Sequence, residues 1–131
     1  MPASADNGQT RIHDLHTVGV PVRDQERALE FYVSVLGFEK RLDVTYGPAG
    51  RWIEVAPAGA RTSIALVPEH DGVPAGVETG IRLLTADAAA DHASLLARGV
   101  DTGDLLHWPG VPPMFAFRDA DGNGLELVEQ S

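Results

Sequence analysis

At 131 residues, 44% hydrophobic and 22% charged, the chain is long enough for one compact domain, or for two small modules that must share a core. It has no cysteine, which excludes disulfides, thiolate metal sites and cysteine nucleophiles. Ten Lys and Arg against nineteen Asp and Glu give a net charge of −9, a field that repels nucleic-acid backbones and anionic lipid heads. The same field favours a cationic ligand if a cleft focuses it, though charge of this size also serves only to keep a small domain dissolved. There is no apolar run of the roughly 18 residues that a membrane span needs and no basic-then-apolar leader, so the expected setting is cytoplasmic.

Residues 1–12 are small, polar and unpatterned and predict a flexible N-terminal arm, with a single domain from 13 to 131. The segment LHTVGVPV then reads as a strand, and Asp24 as the N-cap of a helix whose stripe is Ala28, Leu29, Tyr32, Val35 and Leu36. Gly37 stands where a left-handed C-cap belongs, with Phe38 placed to fold back on Val33. Three strand-like runs follow: Glu39 to Tyr46, Arg51 to Ala56 and Thr62 to Val67. Module one, about 13–68, is therefore βαβββ.

The stretch 69–76, rich in Pro and Gly, predicts a linker. Module two, about 77–131, repeats the plan. GIRLLT is a strand, Asp87 caps a helix with the stripe Ala89, His92, Ala93 and Leu96, and Gly99 closes it. Further strand-like runs cover Asp101 to His107, Met114 to Arg118 and Leu125 to Glu129. A stiff loop, Trp108-Pro-Gly-Val-Pro-Pro, lies between the first two of these and is suited to covering the mouth of a cleft. Asp119-Ala-Asp-Gly-Asn-Gly has the start of a calcium loop, but Gln130 stands where the loop needs a bidentate Glu, and strands flank it; it reads as a hairpin turn.

Two βαβββ modules in tandem, with FYVSVLGFE ending the first helix and RDADGNGLELVE forming the last hairpin, resemble the vicinal oxygen chelate superfamily. That superfamily holds glyoxalase I, extradiol dioxygenases, fosfomycin-modifying transferases and bleomycin-binding resistance proteins. The resemblance spans Leu15 to Glu129 and implies an α+β fold: two tandem βαβββ modules forming a cupped mixed sheet with helices outside. It also implies a cup built within one chain or between two, a homodimer, and a small organic ligand as partner rather than nucleic acid or membrane.

Metal-dependent members place ligands on the first and last strands of each module, and the resemblance carries these positions to His16, Ala65, Gly80 and Glu126. Only His16 and Glu126 are donors; a facial triad needs two His and one carboxylate. Glu78 is the nearest candidate for a third ligand, so a divalent metal stays open as a cofactor but is not favoured. Arg82 shares the strand face of Gly80 and either clamps an anionic ligand group or pairs with Glu126. Trp52, Trp108, Phe115 and Phe117 are candidates for an apolar lining, with ordinary core as the alternative. His13 lies on the opposite strand face from His16, and His70, His92 and His107 read as surface or linker residues. Three functions follow: a metal-independent small-molecule binder, a metal-dependent lyase, isomerase or dioxygenase acting through His16 and Glu126, and a metal-free enzyme using His16 and Arg82.

Overall fold

Two aspartates open the two halves of the fold. In a computed structural model that describes residues 8–48 and 50–131, Asp24 caps α1 (Gln25–Glu30), its carboxylate accepting from the backbone N–H groups of Glu26 and Arg27. Asp87 caps α2 (Ala88–Ala97) in the same manner, accepting from Ala90 N–H. Of the predicted arm, residues 1–7 lie outside the described residues and 8–12 are exposed, without regular structure.

Each helix follows a leading strand, β1 (Thr17–Val22) or β5 (Glu78–Thr85), and stops at a glycine in the left-handed region, Gly37 at φ 79° or Gly99 at φ 78°. The two stops differ. After α2, Val100 N–H donates to Leu95 and Gly99 N–H to Leu96, a full Schellman closure. After α1 the chain widens into a π-helical turn, Phe31–Val35, and the closing bond moves back one residue, from Phe38 N–H to Tyr32 O. Phe38 packs its ring against Tyr32, at 5.8 Å between ring centroids, in the cluster against which Val33 also packs.

Module one continues with β2 (Glu39–Tyr46), β3 (Gly50–Ala56) and β4 (Ser63–Pro68), giving the order β1-β4-β3-β2 with β1 and β4 parallel. Module two has β6 (Met114–Arg118) and β7 (Gly124–Glu129) in the order β5-β7-β6, with β5 and β7 parallel. The mixed sheet is thus divided into a four-stranded and a three-stranded part. The run Asp101 to His107, predicted as a strand, makes only the single bridges Thr102–Phe117 and Leu106–Met114. Asp101, Gly103 and Asp104 are poor strand formers, and the Gly103 carbonyl is held by His92 Nε2 at 2.8 Å.

One apolar core lies against both sheets. Val20, Val22, Ile53, Val55, Ile64 and Leu66 of the first meet Ala28, Tyr32 and Phe38, and the same cluster takes in Leu125, Leu127, Ala88 and Leu95. Phe115 and Phe117, proposed from sequence as ligand-lining, belong to this core at 1% exposure each. The stripe of α2 is also one residue out of place: Ala88 and Leu95 are buried while Leu96 is exposed. Alanines on every side of that helix leave its periodicity to two adjacent leucines, and only packing chooses between them.

The modules are locked by the β6–β7 hairpin turn. Asp119 accepts from Tyr32 Oη at 2.8 Å and from Asn123 Nδ2 at 3.1 Å, while Asp121 accepts from Arg23 N–H and the Arg27 guanidinium. Asn123, fully buried, accepts from Gly76 and Val77 N–H and donates to the Pro21 carbonyl. Burial, with the Asp119 carboxylate in contact, pushes the Tyr32 hydroxyl far above the ordinary tyrosine range.

Candidate functional site

Strand alternation decides which side chains of module one face away from the core. Ile53 and Val55 turn toward the apolar cluster, so Trp52 and Glu54 take the opposite face. The register extends that face: Leu42 pairs with Glu54, Val44 with Trp52, Glu54 with Ala65, Gly19 with Ala65, and Thr17 with Ser63. Leu42, Val44 and Tyr46 are 40, 45 and 56% exposed, an open apolar strip along β2. Beside it Gly19 and Ala65 leave a depression, since a Cβ on Gly19 would meet only Val67 Cγ2 at 3.6 Å.

Glu54 sits in that depression at 6% exposure. Its carboxylate accepts from Trp52 Nε1 at 2.7 Å and Ser63 Oγ at 2.8 Å, and the Ser63 hydroxyl is 2.8 Å from that of Thr17. His16 Nε2 lies 3.6 Å away on a largely exposed ring. The Trp52 hydrogen bond holds the Glu54 carboxyl below the usual carboxylate range against the effect of burial, with Ser63 and His16 adding to it. It is an ionised group on an apolar face.

Module two presents a different face. Arg82 Nε lies 2.8 Å from Glu126, and Arg118 lies 2.5 Å from Glu78. These pairs cross the sheet in the register Arg82–Glu126 and Glu78–Gly124–Arg118. Gly80 stands between them in a bulge at φ 76°, where Thr79 Oγ1 donates to Gly124 O and accepts from Ile81 N–H. A cleft of about 800 Å³ runs along the seam between the modules, lined by Val18, Ile64, Ile81, Arg82 and Leu84.

The predicted site residues therefore fall into separate groups. His16 and Trp52 join around Glu54, while Arg82 and Glu126 join each other. Trp108 is exposed on the Pro-rich loop and borders another depression with Glu129 and Gln130. The hydrogen bonds and ion pairs of the Glu54 and Arg82 groups stay within their own sheets.

A metal does not fit this donor set. Ala65 and Gly80 offer no ligand atom, Glu126 and Glu78 are neutralised by arginines, and the left-handed backbone at Gly80 would strain a histidine there. His16 is also one residue out of register with the other module. Gly80 precedes its capping Asp87 by seven residues (87 − 80), and the position seven before Asp24 is Thr17 (24 − 17). Aligning the repeat on its caps would have found Thr17, which the structure puts on the open face beside Ser63. Glu54, which the sequence reading missed, had a signal too: a lone carboxylate at the centre of WIEVA, on the parity of Trp52.

The model of the Glyoxalase/Bleomycin resistance protein/Dioxygenase superfamily matches residues 14–127. The chain belongs to that superfamily. Among relatives of this superfamily member, the uncharacterized protein YetH of Bacillus subtilis (strain 168) is 40% identical over 124 residues, covering 90% of this chain and 99% of YetH. TnmS3, an antibiotic binding protein from Streptomyces sp. CB03234, has a structure similar to this one with a TM-score of 0.83 and 38% identity, covering 94% of this chain and all of TnmS3. A member of the same superfamily from Sphaerobacter thermophilus DSM 20745 superposes with a TM-score of 0.85 at 39% identity, over 91% of this chain and 98% of the other. No helix among the described residues is long and apolar enough to cross a membrane.

Proposed function

We propose that this superfamily member binds a small organic molecule, without metal chemistry, on the open face of module one and the adjoining seam. The observation that carries the reading is the exposed strip Leu42, Val44 and Tyr46 beside half-buried Trp52, apolar surface turned away from the core. Similarity to an antibiotic binding protein supports it. A thermal-shift screen of apolar natural products against the intact chain tests it. A ligand at about a hundred times its Kd should add about 2.7 kcal/mol and raise Tm by several degrees. Val44→Asp should abolish the shift, and no shift from any compound would overturn the reading.

We further propose that the protein works as a homodimer. Light scattering of a monomer at tens of micromolar would refute this, while leaving the small-molecule reading intact. A second reading, metal-free acid–base catalysis, has one observation in its favour: His16 lies beside a carboxylate that could orient its ring. Arg82, its proposed partner, is engaged on the other module by Glu126.

A further inference from the structure

We propose that the depression at Glu54 is a subsite for a protonated amine carried on a flat apolar ring system, Glu54 taking the amine and Trp52, Leu42 and Val44 the ring. This rests on the binding reading above and adds the chemical class of the ligand. The argument comes from how the fold treats its other buried carboxylates. Asp121 lies against two arginines, Arg23 and Arg27, and Asp119 accepts from four donors: Tyr32 Oη, Asn123 Nδ2 and the N–H groups of Asp121 and Asn123. In the module junction Asp119 is thus met by four neutral donors and Asp121 by two arginines on Oδ1, its Oδ2 being buried without a hydrogen bond among the described residues; Glu54 has neither arginines nor four donors.

Glu54 has two neutral donors, Trp52 and Ser63, and among the described residues no Lys or Arg within ion-pair distance; His16 Nε2, 3.6 Å away, answers it only when the imidazole is protonated. A carboxylate accepts about four hydrogen bonds, so half of its capacity is unspent. Burying such a group costs several kcal/mol unless a cation answers it, and replacing it by an apolar residue would normally stabilise the sheet. On the same face Ala65 pairs with Glu54 and Gly19 with Ala65, and neither brings a long side chain over the carboxylate. Trp52 is pinned by its own N–H bond to Glu54 and stands at the edge of the aliphatic strip, which suits a ring attached to the amine. The net charge of −9 draws cations toward such a cleft.

Equilibrium dialysis of the intact chain at pH 8 with 9-aminoacridine, a planar cation, and acridine, its neutral counterpart, tests the subsite. The wild type should hold the cation about tenfold tighter or more, and Glu54→Gln should bring the two within about twofold by weakening the cation alone. His16→Arg, on a largely exposed side chain 3.6 Å from Glu54, sets a permanent cation beside the carboxylate and should weaken 9-aminoacridine at least about fivefold while sparing acridine, which keeps the test alive if Glu54→Gln unfolds. Equal binding of the two probes, a preference that survives Glu54→Gln, or no binding of either probe overturns the subsite. A positive thermal-shift screen alongside any of those results leaves the binding reading standing, and a silent screen removes both.

Discussion

The two modules are built to one plan and finished to different ends. Both run strand, capping aspartate, helix, left-handed glycine, and both pair their first and last strands in parallel. Their open faces share nothing: module one offers aliphatic strip, tryptophan and a buried carboxylate without a strong cation, module two a ladder of exposed arginine–carboxylate pairs. The core faces cannot diverge, because each must meet a helix and the same apolar cluster. The faces turned away from the helices carry no such demand, and function is free to settle on one of them.

The comparison breaks most sharply at the junction. Asn123→Ala should cost roughly 3 to 5 kcal/mol in chemical denaturation, since it strands the Gly76 and Val77 N–H groups and the Pro21 carbonyl together. If module two instead melts in a separate transition, the modules are independent units and the shared core is not what couples them.

Tyr32→Phe, on the module-one side of the same lock, should cost about 1.5 to 3 kcal/mol, because a bond to a charged acceptor is lost inside the core. It also carries a pH signature. The hydroxyl is raised far above its unfolded value, so its contribution is complete below the ordinary tyrosine range and is lost as pH rises beyond it. Wild type should therefore lose stability in alkali more steeply than Tyr32→Phe, and parallel curves would show that the hydroxyl is not sealed.

How far the sequence went follows the same division. The caps Asp24 and Asp87, the stops Gly37 and Gly99 and most strands were legible, because turn chemistry and alternation are local. The broken edge at Asp101 to His107, the core placement of Phe115 and Phe117 and the inward turn of Leu95 were not, because each depends on what packs opposite. Glu54 lay hidden because a carboxylate in a strand reads as solvated until the register puts Trp52, Ser63 and Ala65 around it. Arg82 was half legible: alternation gave its face, and only the register gave Glu126 as its partner.

A smaller effect sharpens the contrast at Gly80. Gly80→Ala should cost about 1 to 2 kcal/mol from its left-handed backbone alone, as open space surrounds the added carbon. Thr17→Ala, at the equivalent place in the other repeat, should cost about 1 kcal/mol for its hydroxyl contact to Ser63. An unstrained Gly80→Ala would mean that the bulge relaxes and the two leading strands are alike after all.

The smallest effect on stability decides the most about the faces. Arg82→Ala removes an ion pair whose members are both well exposed, so stability should change by no more than about 0.5 kcal/mol. If Arg82 clamps an anionic ligand, the same substitution should cost acridine-9-carboxylate roughly 2 to 5 kcal/mol of affinity, as losing a buried charge partner does. The structure argues for the other outcome. Glu126 already occupies the guanidinium at 2.8 Å, and an anion would have to displace it against a field of −9. Removing Arg82 should instead leave Glu126 uncompensated and improve 9-aminoacridine binding by less than about threefold, while acridine-9-carboxylate stays as it was. A large loss of the carboxylate probe in dialysis would move the selecting residue to module two, and the division of labour between the faces would have to be redrawn.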